Sequence, residues 1–124
     1  MDRATVVSER ERRVPPGQQT ANLRREQAFA EEGRWIGFVR GEPGEWSGWH
    51  HHGEQDTYFY MLRGQLEFEY AGGEPGTKMA QGDFVHLPAG VVHRERTEAG
   101  EPSQIVLVRI GPGPAVVNVD PPNR

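Results

Sequence analysis

Residues 44–64 read GEWSGWHHHGEQDTYFYMLRG, and the period of two inside this stretch decides the fold. Thr57 to Leu62 is rich in aromatic and branched residues and reads as a strand, as does Trp49 to His52 before it. On a strand, successive side chains face opposite ways. If Thr57 faces inward, Phe59 and Met61 follow it and form an apolar pocket floor with an adaptable sulfur. Tyr58 and Tyr60 then face the other way, as packing or interface residues. Gly64 turns the chain sharply into a further strand, Gln65 to Tyr70.

The same texture extends in both directions. Upstream, Trp35 to Val39 reads as a strand, closed by a turn at Gly41, Pro43 and Gly44. Downstream, Lys78 to Ala80, Asp83 to Leu87 and His93 to Thr97 are short strands separated by Gln81-Gly82 and Pro88-Ala89-Gly90. Gln104 to Ile110 is the most apolar run and reads as a buried strand. Ala115 to Val119 adds an edge strand after Gly111-Pro112-Gly113-Pro114. With 16 glycines and 10 prolines in 124 residues, this spacing describes an all-β barrel or sandwich.

Residues 1–32 differ in character. The first nineteen are polar and carry the charge run Glu9 to Arg13, which reads as a frayed terminus or an arm laid on a neighbour. Thr20 can cap a short helix with Leu23, Ala28 and Phe29 as a sparse apolar face, ending near Gly33. The expected organisation is therefore an arm with a short helix over 1–32, a barrel over 33–112 and an extended tail over 113–124.

A net charge of −4 gives no basic footprint for nucleic acid and no polybasic stretch for an anionic membrane. Cysteine is absent, which removes disulfides and zinc–thiolate sites. No apolar run reaches the length of a membrane span, and Met1-Asp2-Arg3 does not open a signal peptide, so a cytoplasmic protein is expected.

Three of the five histidines are consecutive. Strand alternation puts His50 and His52 on one face and His51 on the other, so two imidazoles can meet one ion. His93 stands at a later strand start, where it can supply a third. Imidazole suits Fe, Mn, Ni, Cu and Zn alike, so the ligand set narrows the metal only to the first transition row and zinc. The competing reading is an exposed polar strand end.

The spacing resembles that of the cupins. Gly44, His50, His52 and Gly64 fall in the places of the first cupin motif, and Gly82, Pro88, Gly90 and His93 in those of the second, with Thr97 where an asparagine is usual. The resemblance is to a small cupin-2-type protein, and it implies a double-stranded β-helix holding one divalent metal ion through His50, His52 and His93. It also exposes a departure. The cupin glutamate, usually the fourth ligand, should stand seven residues before Gly64, and that position is Thr57. Thiol dioxygenases and some diketone-cleaving cupins are similar in lacking it. Asp56, one step out of phase, is the alternative ligand if the loop Gly53-Glu54-Gln55 bends.

The resemblance also turns His93, Glu95 and Thr97 toward the interior. A carboxylate there costs several kcal/mol unless paired or solvated, so Glu95 is the candidate catalytic residue: a general base, a partner of a ligating imidazole, or a replacement ligand. The alternative leaves Glu95 in solvent between Arg94 and Arg96. Trp46 and Trp49 could wall the mouth of the pocket, and His86 has no assignable face.

The expected function is a metal-dependent enzyme acting on a small chelating organic substrate, by oxygenase-like chemistry or by Lewis-acid isomerisation or elimination. The competing class is a non-catalytic binding or sensor barrel, and a third is a structural barrel with no ion. The polar arm and the tail favour a homodimer.

Overall fold

The computed structural model describes residues 3–122; Met1, Asp2, Asn123 and Arg124 lie outside the described residues. Ten strands follow in order: β1 (Leu23–Glu31), β2 (Arg34–Gly41), β3 (His50–His51), β4 (Asp56–Arg63), β5 (Gln65–Tyr70), β6 (Thr77–Ala80), β7 (Phe84–Leu87), β8 (His93–Thr97), β9 (Ser103–Ile110) and β10 (Val117–Asn118). They form two five-stranded sheets, β1-β2-β9-β4-β7 and β10-β3-β8-β5-β6. Every pairing between these strands is antiparallel. The architecture is the double-stranded β-helix expected from the motifs.

Alternation builds the core. Trp35 and Val39 on β2, Phe59 and Met61 on β4, Leu66 and Phe68 on β5, and Ile105 and Leu107 on β9 all bury between the sheets. Burying each such side chain contributes about 1.5–3 kcal/mol. Gly41 serves close approach: a Cβ there would lie 2.4 Å from Thr97 Oγ1 and 2.6 Å from Ser103 Oγ, so only glycine lets β2 reach this pair. At the β1–β2 hairpin, Gly33 takes the left-handed conformation (φ 81°) at the second turn position, where glycine is favoured.

The short helix expected from Thr20 is a strand instead. Asn22 adopts φ 68°, which stops a helix before it starts, and β1 then pairs with β2 along its length. Leu23 and Arg25 are buried at a period of two, while a helical face of three scattered apolar residues had too little area to compete. Among the described residues the only helical pieces are 3-10 turns at Glu9–Glu11 and Pro16–Gln18.

The N-terminal segment is not frayed. Arg13 exchanges backbone hydrogen bonds with Gln27, and Arg12 pairs with Glu26 at 3.0 Å while its guanidinium lies 4.4 Å over the Phe38 ring. It therefore packs on β1 and β2 of its own chain. Gln104 to Ile110 also needs correcting, because only one face of that strand is buried. Val106 and Ile110 are 45% and 53% exposed on the other. No helix among the described residues is long and apolar enough to cross a membrane.

Candidate metal centre

The second sheet delivers the histidines. His50 on β3 and His93 on β8 are direct cross-strand partners, and His52 follows two residues after His50 on the same face. Trp46 bridges Arg96, and Ser47 N donates to Glu95 O at 2.7 Å, which draws the lead-in to β3 against β8. The ring centroids of His50 and His93 are 4.2 Å apart, and the nitrogens of the three rings that could serve as ligands lie within 4.8 Å of one another.

Each ring is oriented by a backbone carbonyl. His50 Nδ1 donates to Gly48 O at 2.9 Å, His93 Nδ1 to Val91 O at 2.9 Å and His52 Nδ1 to Ala115 O at 2.8 Å. Carbonyls only accept, so these contacts place the proton on Nδ1 and leave the Nε2 lone pairs aimed inward. The Nε2 atoms of His50 and His93 are buried and have no partner. A buried acceptor without a donor is costly, and a divalent ion satisfies all of them at once. The donor set fits such an ion, with the orienting carbonyls in the role that metal-bound imidazoles ordinarily require.

Burial pushes the His50 imidazole down to about 3, helped by the neighbouring His93. His52 is held well below its ordinary value, first by burial and then by Arg109. Both rings are neutral at pH 7, as ligation requires.

Glu95 is buried between the sheets, not in solvent between the two arginines. Its Oε2 lies 3.6 Å from His93 Nε2 and 4.0 Å from His50 Nε2. Burial alone would raise its pKa, but His93, His50 and Arg25 outweigh burial and leave it below the ordinary carboxylate value. Asp56 lies elsewhere. Its side chain shares the outer face with Tyr58, where Oδ1 pairs with His86 Nε2 at 3.1 Å and accepts from Ala89 N at 3.2 Å. Strand parity thus carries Asp56 away from the histidines.

The cavity at the histidines has a volume of about 20 Å³, room for roughly one water. Thr57 and Phe59 line it, whereas Met61 is fully buried in the core and does not reach it. Trp46 and Trp49 do not wall its mouth. They stack against the Arg94 guanidinium at 4.4 and 5.0 Å on the outer side of β8. His51 faces away from the cluster and accepts from Gly53 N at 2.9 Å.

Two lining residues escaped the sequence reading: Arg25 and Arg109, which are 1% and 2% exposed. Burial lowers Arg25 to about 10 and Arg109 to about 9, so both stay charged at neutral pH. Arg109 shares the face of Ile105 and Leu107, and reading β9 at a period of two would have found it.

The comparisons agree with this architecture. The cupin domain family model matches residues 37–109, well over half of the chain. No curated protein matches the chain in sequence. Among solved structures, an uncharacterised double-stranded β-helix protein from Klebsiella pneumoniae is similar over 97% of this chain and 99% of its own, with 18% identity and a TM-score of 0.69. The polyketide cyclase RemF from Streptomyces resistomycificus is similar over 96% of this chain and 86% of its own, with 15% identity and a TM-score of 0.72. The Streptomyces protein PAC13, solved with uridine, is similar over 98% of this chain and 94% of its own, with 10% identity and a TM-score of 0.74. These identities speak to the fold alone. By its family match, its two sheets and its converging histidines, the chain belongs to the cupin domain family.

Proposed function

We propose that this cupin is a metal-dependent enzyme acting on a small organic substrate that binds as an anion. One observation carries the reading: three imidazoles pinned at Nδ1 by carbonyls, with the buried Nε2 atoms of His50 and His93 left unpartnered. His50, His52 and His93 would hold the ion, one of Fe, Mn, Ni, Cu or Zn. Such an ion supplies Lewis acidity, or oxygen activation if it is iron.

The protein's own contribution follows from the residues around it. Thr57 supplies no negative ligand in place of the usual glutamate, so three neutral donors leave the ion's charge to attract an anion. Glu95 is near enough to the ligand nitrogens to act as a proton acceptor or a replacement ligand. Phe59, Phe68, Leu87, Ile105 and Leu107 exclude water and strengthen each polar contact inside. Similar folds carry cyclase, lyase and dehydratase in their descriptions, and the fold does not select among such reactions.

The small, closed cavity favours a second reading, a non-catalytic barrel that retains its ion and one small ligand. Metal analysis of purified protein is the first test. Near-stoichiometric metal in the wild type, lost in His93→Ala, supports the site; a metal-free wild type after loading refutes it. Turnover by the loaded protein separates enzyme from binder.

The homodimer belongs to the same proposal. Phe84 is 84% exposed beside Tyr60, on an outer face of the first sheet shared with Tyr58, Val106 and Val108, and a second copy of that apolar face would cover it. Light scattering should give a dimer mass that Phe84→Glu reduces; a monomeric wild type removes this part.

A further inference from the structure

Across the cavity from the histidines, the first sheet presents polar atoms that nothing in the protein satisfies. Thr57 on β4 and Arg109 on β9 are cross-strand partners, so their side chains share the inner face. Thr57 Oγ1, Arg109 Nε and Arg109 Nη1 are all buried without a hydrogen-bond partner. Arg25 Nε is likewise without a partner, but Arg25 is held in place through Nη1, which donates to Gln18 O at 3.1 Å and Thr20 Oγ1 at 2.7 Å. The Arg109 guanidinium stacks near Trp35, with its carbon 5.0 Å from the ring centroid.

Charge leads to the same place. Two guanidiniums, Arg25 and Arg109, face the cavity with a single carboxylate, Glu95. Glu95 Oε2 sits beside His93 and His50, and among the described residues no ion pair joins it to Arg109. The interior therefore carries an excess positive charge even before an ion is counted. Uncompensated charge in a dry interior is strongly unfavourable, and an anion relieves it.

We propose that Arg109 and Thr57 seat the carboxylate of the substrate, making that substrate a small carboxylic acid whose second donor faces the histidines. The inference rests on the metal-dependent reading above. Arg109 Nε and Nη1 donate from different edges of the guanidinium, so one of them reaches one oxygen of the carboxylate while the threonine hydroxyl donates to the other. The cavity of about 20 Å³ holds roughly one water as it stands, so the acid enters only as lining side chains give way, which restricts it to a few atoms.

The test compares acetate and glycolate with uncharged glycolamide by calorimetry, on metal-free and metal-loaded protein. Acetate and glycolate should bind the wild type and glycolamide should not. Arg109→Gln should bind the acids on the order of tenfold or more weakly while holding as much metal as the wild type. Ligand-free Arg109→Met should melt at or above the wild-type temperature, because it removes a buried charge with no partner; an arginine kept for structure would instead lower it.

Unchanged acetate affinity in Arg109→Gln, or no acid binding by the wild type, overturns the proposal. If the Arg109 variants do not fold, Thr57→Val decides, with weaker acetate binding expected and unchanged binding fatal. A wild type that takes up no metal but binds acetate through Arg109 sinks the metal reading and leaves the anion seat standing.

Discussion

Acid should unfold the metal-free protein, and the histidine rings set the size of the effect. His50 is lowered to about 3 against an ordinary 6.5. At about 1.4 kcal/mol per pH unit, keeping it neutral in the fold is worth about 5 kcal/mol at neutral pH. The unfolded chain binds this proton below pH 6.5 and the folded chain does not, so stability is full above 6.5 and is lost as pH falls toward 3. His52, lowered by the same burial, adds a second proton in the same direction. His50 alone gives a slope of about 1.4 kcal/mol per pH unit and by pH 4.5 a loss of about 3 kcal/mol, a large part of the stability of a modest domain, and His52 steepens it. Below 4.5 the lowered Glu95 acts in the same sense. Urea denaturation of chelator-treated protein at half-unit pH steps measures the slope directly. His50→Asn should lower it by about 1.4 kcal/mol per pH unit. A flat profile between pH 6.5 and 5, or the wild-type slope in His50→Asn, would refute the reasoning.

Three further outcomes follow from the same geometry. Glu95→Gln should weaken metal retention about 10- to 100-fold in a chelator competition, as expected for a residue that supports ligating imidazoles; unchanged retention would exclude it from the site. Met61→Ala should cost about 2–5 kcal/mol in denaturant, since its side chain is fully buried, yet leave metal content intact because it does not line the cavity. Gly41→Ala should cost about 1–3 kcal/mol by forcing a methyl group against Thr97 and Ser103, and a neutral result would mean that β2 and β8 are not packed as described.

Much of this architecture was legible in the sequence because alternation is a strict rule wherever one face is buried. Parity alone separated His50 and His52 from His51, and placed Thr57 and Phe59 inward and Tyr58 outward. It failed where another signal hid it. On β9, a run of branched residues on both faces masked the alternation, so Arg109 and the exposed Val106 and Ile110 went unnoticed together. On β1, Arg, Gln, Glu and Ala are good helix formers, and pairing with β2 overrode that preference. Arg25 was lost with the strand. The orienting carbonyl of Ala115 could not be read at all, because backbone groups have no sequence signature and this one is 63 residues from His52.

That carbonyl gives the site a history within the life of the polypeptide. At a synthesis rate of about 5–20 residues per second, Ala115 emerges several seconds after the histidine it orients. His52 therefore has no fixed tautomer while His50 and His93 are already made, and the tail must settle before three lone pairs converge. The three converging lone pairs therefore belong to the finished chain and not to the nascent one, whose His52 ring is still free to turn.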